Sequence, residues 1–218
     1  MSRTSLETIE LIIRTMAEVA FENRAYFCEL DGVVGDGDFG NSLATGFEAI
    51  TVTNWDKLDR SSPGNFLKAV AMTFMGNVGG VSGSVWGTAF LRAGVKAGDK
   101  QELTMDDVHE MLWAAIEGMK QRGKSDLGDK TLLDAFVPAV EAFEKTIQNG
   151  GSTLDALREA AVVARAKTEE IKPWQAKRGR ASYTGERSCN TYDAGSIAIA
   201  MIAERLVEVW EAEQQLAT

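Results

Sequence analysis

Three aspartates, Asp31, Asp36 and Asp38, stand in one short stretch, LDGVVGDGDFGN (30–41). Carboxylates gathered so closely repel one another unless they stay solvated or a cation holds them. Their hard oxygens suit Mg²⁺, which keeps coordination positions open for water or a substrate phosphate. Glycines at 32, 35, 37 and 40 allow the chain to fold tightly around them. Gly35, Gly37 and Gly40 also spell G-x-G-x-x-G, the dinucleotide fingerprint. That fingerprint needs a first strand inside a βαβ unit, and LDGVV is the only, short, strand-like candidate. Asp36 and Asp38 would moreover repel a bare pyrophosphate. An EF-hand fails too, because counting from Asp36 puts Asn41 at position six and Phe47 at position twelve, where glycine and glutamate belong. The residues alone leave two readings, a Mg²⁺ site and a solvent-exposed Asp–Gly turn.

Other segments carry related chemistry. GGVSG (79–83) offers small residues and a helix N-terminus able to approach phosphate oxygens, or simply close helix packing. GDKT (128–131) places Asp129 and Thr131 at a helix start, which on its own reads as a cap rather than a ligand. KRGRASYTGERS (177–188) gathers Lys177, Arg178, Arg180 and Arg187 in an otherwise acidic chain. Arginine forks recognise phosphate, although such clusters are often only solvated. GMKQRGKS (118–125) satisfies the Walker A expression, but an amphipathic helix precedes it where the mechanism needs a strand. It reads as a helix C-terminus, with Gly123 as the stop.

The elements that must position these groups are helical. Leu6, Ile9, Ile13, Met16, Ala17 and Ala20 recur at helical spacing behind a Thr4-x-x-Glu7 capping box. Further helices are predicted from about Asn41 to Ile50, from Ser62-Pro63 to about Phe74, and from about Ser82. Others follow from a Thr104-x-x-Asp107 cap, from about Lys130 to Gln148, from Ser152 to before Pro173, and from about Asp193 to Gln214. That makes eight helices in one all-α domain spanning 1–218, a bundle or helical barrel. The connection KPWQAKRGRASYTGERSCNTY is its longest non-helical segment.

Composition narrows the function. A formal net charge of −9 argues against a nucleic-acid surface. No apolar run is long enough for a membrane span, and the N-terminus reads as an amphipathic helix rather than a signal peptide. Cys28 and Cys189 are too few for a disulfide framework, which fits a cytoplasmic protein. His109 is the only histidine, which excludes multi-histidine metal sites.

Taken together, LDGVVGDGDFGN (30–41), GGVSGSVWGTAF (79–90), QRGKSDLGDKTLLDAFVPA (121–139) and GRASYTGERS (179–188) resemble the nucleotide-binding L subunit of the dihydroxyacetone kinase family. The resemblance covers most of the chain in family order, and the length suits a free-standing L subunit. It implies a closed, antiparallel eight-helix barrel with the nucleotide site in loops at one end. Asp31, Asp36 and Asp38 match the aspartates that hold two Mg²⁺ ions against the phosphates of ADP or ATP. Gly40, Asn41 and Ser42 continue that loop, and Ser82 and Gly83 match a second phosphate-contacting turn. Gly123 and Leu132 match positions around the adenine pocket, and Arg180 a nucleotide-binding arginine. Asp193, Ala194 and Gly195 correspond to the D-P-G segment that closes the site.

The implied reaction is phosphoryl transfer to a small ketose held by a separate K subunit, so the chain is expected to be inactive alone. The donor is then an ADP recharged by a phosphotransferase-system subunit, or exchangeable ATP. Phe39 and Thr191 stand where the family usually has histidine, and D-A-G replaces D-P-G, which leaves the ketose open. The rival class is a non-catalytic helical protein that binds a lipid or a regulatory partner, which predicts no Mg²⁺-dependent nucleotide affinity.

Overall fold

The capping signals at Thr4, Ser62, Thr104 and Ser152 are realised, whereas neither Asp129 nor Thr131 is the N-cap of the helix that follows them. In the computed structural model, which describes residues 3–216, Thr4 caps α1 (Ser5–Glu22) and its own N–H donates to Glu7 Oε2 at 2.8 Å. The same reciprocal box opens α6 (Met105–Gly123) through Thr104 and Asp107, and α8 (Thr153–Ile171) through Ser152 and Asp155. Ser62 caps α4 (Pro63–Asn77), with Pro63 in the first turn where its missing N–H costs nothing.

The remaining helices are α2 (Arg24–Val34), α3 (Phe39–Glu48), α5 (Gly80–Ala97), α7 (Leu133–Gln148) and α9 (Ala194–Leu216). No strand occurs among the described residues, so the all-α expectation holds. There are nine α-helices there rather than the expected eight. The addition is α2, which absorbs the strand-like LDGVV and places Asp31 in its last turn instead of a loop. Gly32 and the adjacent Val33 and Val34 weaken the helical signal, and only Phe27 and Val34 are buried, two turns apart on one face.

The residues fall into two compact units, Met1–Arg24 with Phe39–Lys124, and Ala25–Asp38 with Ser125–Thr218. In the first, α4, α5 and α6 pack in succession and α1 lies against α3 and α4. Its core centres on Phe47, Phe74 and Phe90, whose rings meet edge-on at 5.5–6.3 Å. Glycine is required at 46, where any Cβ would enter the Phe74 ring. In the second unit α7, α8 and α9 pack together. Their shared core is small-residue rich, with Ala156, Ala160, Ala161, Ala164, Ala198 and Ala200 buried. Arg165 spans α8 and α9 with a forked pair to Glu204, at 2.7 and 2.6 Å. No helix among the described residues is long and apolar enough to cross a membrane.

Candidate functional site

In the second unit, residues 35–38 join the end of α2 to the start of α3 at Phe39. Asp31 lies one turn before that connection, and its Oδ2 accepts the Asp38 N–H at 2.9 Å. Gly35 makes this possible, since a Cβ there would fall on the Asp31 carboxylate. Gly37 turns the chain at φ +72°, a conformation costly for other residues. Asp36 is exposed and paired with Arg180. Carboxylates on a glycine-shaped turn and an arginine far along the chain are thus assembled in one place.

Arg180 opens a 3₁₀ segment, Arg180–Ser188, after Gly179 at φ +66°. The stem of this segment is closed from several directions. The Lys177 N–H donates to the Asp129 carbonyl at 3.0 Å, and the Ala176 N–H to Ser188 Oγ at 2.9 Å. Arg178 pairs with Asp129 at 3.4 Å, so of the basic cluster only part faces solvent unpaired by acid.

Lys130, passed over in the sequence, is the buried centre of this region at 3% exposure. Its Nζ donates to the carbonyls of Lys172, Trp174 and Ser188 at 2.8, 2.8 and 2.6 Å. Burial lowers its pKa from the ordinary 10.5, opposed by the charges of Asp193 and Cys189. Asp134, also buried, accepts the N–H groups of Gly128 at 2.6 Å and Thr131 at 2.7 Å. Its signal was present, because Thr131-x-x-Asp134 repeats the pattern that caps α6 and α8. Nothing in GDKT marks the lysine as buried.

Asp193 caps α9, its Oδ2 accepting the Ser196 N–H at 2.6 Å. Loss of solvent pushes its pKa up to about 6 against the pull of that N–H, with Asp134 raising it, Lys130 lowering it and Asp31 raising it further. Gly195 is needed for close approach, since a Cβ would lie 3.0 Å from Leu132 Cβ. The structure thus brings Leu132, Asp193, Ala194 and Gly195 to the start of α9. Thr191, at a usual histidine position, donates to the Ser188 carbonyl at 2.7 Å, the same oxygen that Lys130 holds.

The first unit carries the other expected residues. Gly40, Asn41 and Ser42 form the first turn of α3, where Asn41 Oδ1 accepts Arg24 Nε at 2.7 Å. Ser82 and Gly83 lie in the first turns of α5, whose cap residue Gly79 contributes no side-chain bond and whose first turn holds no acid. Gly83 must be glycine, because its Cβ would strike the Val78 carbonyl. Gly123 ends α6, and the left-handed cap is Lys124 at φ 50° rather than a glycine. The Walker-like string is thereby a helix terminus with Lys120 and Arg122 in its last turn.

The donor chemistry of Asp31, Asp36 and Asp38 fits Mg²⁺, all hard carboxylate oxygen. In the geometry at hand no three His, Cys, Asp or Glu among the described residues converge as metal ligands. Asp31 is turned to the Asp38 N–H and Asp36 to the Arg180 guanidinium.

Helices alone among the described residues, with Asp31 in the last turn of α2 and Arg180 laid on Asp36 just beyond it, define an all-α protein. The chain belongs to the DAK2 domain family, whose model matches residues 33–208. It is 34% identical, over 83% of this chain and 86% of that protein, to the ADP-binding subunit DhaL of the PEP-dependent dihydroxyacetone kinase of Escherichia coli (strain K12). Its identity to the ADP-binding subunit DhaL of the PTS-dependent kinase of Lactococcus lactis subsp. lactis (strain IL1403) is 36%, over 86% of this chain and 89% of that protein. Among solved structures, the dihydroxyacetone kinase from C. freundii in complex with AMP-PNP and Mg²⁺ is similar with a TM-score of 0.70 and 24% identity, over 96% of this chain. The chain spans 35% of that protein, and the likeness is one of fold.

Proposed function

We propose that this chain is the nucleotide-binding, phosphoryl-transferring subunit of a dihydroxyacetone-type kinase. It would bind ADP through Mg²⁺ and pass phosphate to a small ketose held by a separate K subunit. The observation that carries this reading is the Asp36–Arg180 pair on the same short turn as the Asp31–Asp38 N–H bond, in a chain alike to DhaL subunits over most of its length. Asp31, Asp36 and Asp38 would hold the metal, as two ions by the family pattern. Bound there, Mg²⁺ supplies neutralisation of phosphate charge, on which phosphoryl transfer depends more than on covalent catalysis.

The chain's own residues supply the rest. Asp38 fixes Asp31 through its N–H, so this carboxylate is held before any ligand arrives. Arg180 carries a charge-assisted donor fork suited to a phosphate. By the family pattern, Ser82 and Gly83 in the first turns of α5 and Gly40, Asn41 and Ser42 in the first turn of α3 would be further phosphate contacts. Gly123, Leu132 and the Asp193–Ala194–Gly195 turn are assigned to the nucleotide base and the closure of the site. His109 is exposed on α6 and has no part in the transfer.

The PEP- and PTS-dependent names of the two bacterial relatives favour a retained ADP recharged by a phosphotransferase-system subunit over exchangeable ATP. The free thiols Cys28 and Cys189 agree with a cytoplasmic location. We further treat the chain as one domain, since it crosses between the two units after Arg24, Asp38 and Lys124 and neither unit is one continuous segment.

Calorimetric titration of ADP with and without Mg²⁺, on wild type and Asp36→Asn, tests the reading. Mg²⁺-dependent binding that the substitution weakens is the expected result. Binding that ignores both the metal and the substitution refutes it in favour of a non-catalytic helical protein. Native mass spectrometry of gently purified protein then separates retained ADP from an empty, ATP-exchanging site.

A further inference from the structure

The segment that carries Arg180 has no hydrophobic anchor of its own size. Between Lys177 and Arg187 every residue is exposed or half-buried, and only Ala176 and Ser188, at its two ends, are buried. Something else must hold the segment still if Arg180 is to meet a phosphate in a fixed place. The two ends meet each other through the Ala176 N–H and Ser188 Oγ, and Ser188 Oγ in turn donates to the Gly185 carbonyl at 2.6 Å. Both ends also meet the α6–α7 connection, at the Asp129 carbonyl and at Lys130 Nζ.

Lys130 is suited to this in a way few side chains are. An ammonium has three donors in tetrahedral array, and here all three are used, on carbonyls of Lys172, Trp174 and Ser188. Two of those carbonyls lie where α8 ends and one lies where the 3₁₀ segment ends. One side chain therefore ties three lengths of chain together. Its own backbone is left-handed at φ 61°, which a non-glycine residue adopts only where its surroundings hold it. The acceptors of its ammonium are main-chain oxygens, and these with the field of Asp193 keep the charge buried.

We infer that Lys130 is a positioning residue of the site, a buried clamp that closes the stem of the 177–188 segment and so sets where Arg180 stands. The inference rests on the reading of Arg180 as a phosphate-binding group. Replacement by methionine keeps the length of the stem and removes all three donors. Replacement by arginine keeps the charge, but a planar guanidinium does not match three carbonyls arranged around an ammonium.

The segment reports on itself, since Lys177, Arg178, Arg180 and Arg187 are tryptic sites. Limited trypsinolysis of the full chain should cut within 177–187 at least about tenfold faster in Lys130→Met than in wild type. Calorimetry should show the Mg²⁺–ADP dissociation constant of Lys130→Met rising toward that of Arg180→Ala. The double variant Lys130→Met/Arg180→Ala should bind no more than about twofold more weakly than Arg180→Ala alone, because a residue that acts through Arg180 has nothing left to position. A merely structural lysine would instead give losses that multiply, and that result overturns the inference, as does unchanged cleavage. Should Lys130→Met fail to fold, judged by its far-ultraviolet spectrum, Lys130→Arg carries the same three measurements. If wild type itself binds no Mg²⁺–ADP, the proposed function falls, and the cleavage rates still decide whether Lys130 clamps the segment.

Discussion

Gly35 allows the carboxylate geometry to be perturbed apart from the rest of the fold. An alanine Cβ at this position would overlap the Asp31 carboxylate and lie 2.9 Å from both its carboxyl carbon and the Asp31 carbonyl oxygen. The carboxylate must then swing away, losing the Asp38 N–H that it now accepts at 2.9 Å. A hydrogen bond to a charged group contributes about 1.5–3 kcal/mol, and each 1.4 kcal/mol is about tenfold in affinity. Gly35→Ala should therefore weaken Mg²⁺-dependent ADP binding roughly 10–100-fold. Gly37→Ala makes the complementary change: the nearest atoms, Cys28 O and Gly32 Cα, stand 3.5 and 3.6 Å away, so there is room, but φ is +72°. Its cost is conformational, about 1–2 kcal/mol, or roughly 2–8 °C of melting temperature for a chain of this size. Titration calorimetry and scanning calorimetry on the two variants should show Gly35→Ala losing the more affinity and Gly37→Ala the more stability. A Gly35→Ala protein that binds Mg²⁺–ADP as tightly as wild type would refute the assignment of Asp31 as a positioned ligand.

Three further outcomes are expected. Gly64→Ala, whose Cβ would overlap the Gly98 carbonyl and lie 2.7 Å from that of Gly94, should cost about 1–3 kcal/mol by overpacking two backbones, seen as a lower urea midpoint. Asp134→Ala should leave the Gly128 and Thr131 N–H groups without their acceptor and destabilise by about 1–3 kcal/mol for each, whereas Asp134→Asn, of the same shape, should cost less in the same assay. Asp107 is held at about 2, below its ordinary 3.8, by Lys100 first and then by the Thr104 N–H and hydroxyl. A carboxyl depressed on folding stabilises above its unfolded value and loses that contribution as pH falls through its folded one. The melting-temperature gap between wild type and Asp107→Ala should thus be full at pH 6 and close steadily below pH 4; a gap constant with pH would contradict it.

Legibility followed the range of the interaction. Thr4 with Glu7, Thr104 with Asp107 and Ser152 with Asp155 were readable because a cap and its partner stand three residues apart. So was the failure of GMKQRGKS as a phosphate loop, since the helix before it is a property of local periodicity. The helix α2 was not, because Gly32 and two valines obscure a stripe built on only Phe27 and Val34. Asp193 stood out for a role at the nucleotide and is used, at least in part, as the cap of α9, a use that any Asp-x-x-Ser start could serve. The pairing of Asp36 with Arg180 and the burial of Lys130 join residues remote in sequence, and no spacing rule announces either.

Those long-range features also show how two of the three acids in this one short stretch are held. Asp31 is satisfied by a backbone N–H and Asp36 by a guanidinium, so the charges that a metal would bind are already compensated by the chain. The Asp36–Arg180 pair is exposed, and such pairs contribute only about 0–1 kcal/mol. Separating it costs little, and it leaves a carboxylate and a guanidinium side by side, each available to a ligand of opposite sign. A buried pair would have held both fast. The backbone around them is arranged the opposite way: Lys130 and Asn190 hold positive φ although neither is glycine, a conformation that persists only where surroundings fix it. Weakly held charges on a firmly held frame are what a site needs if its ligands are to be exchanged while its geometry is kept, and Lys130 is the residue on which that frame converges.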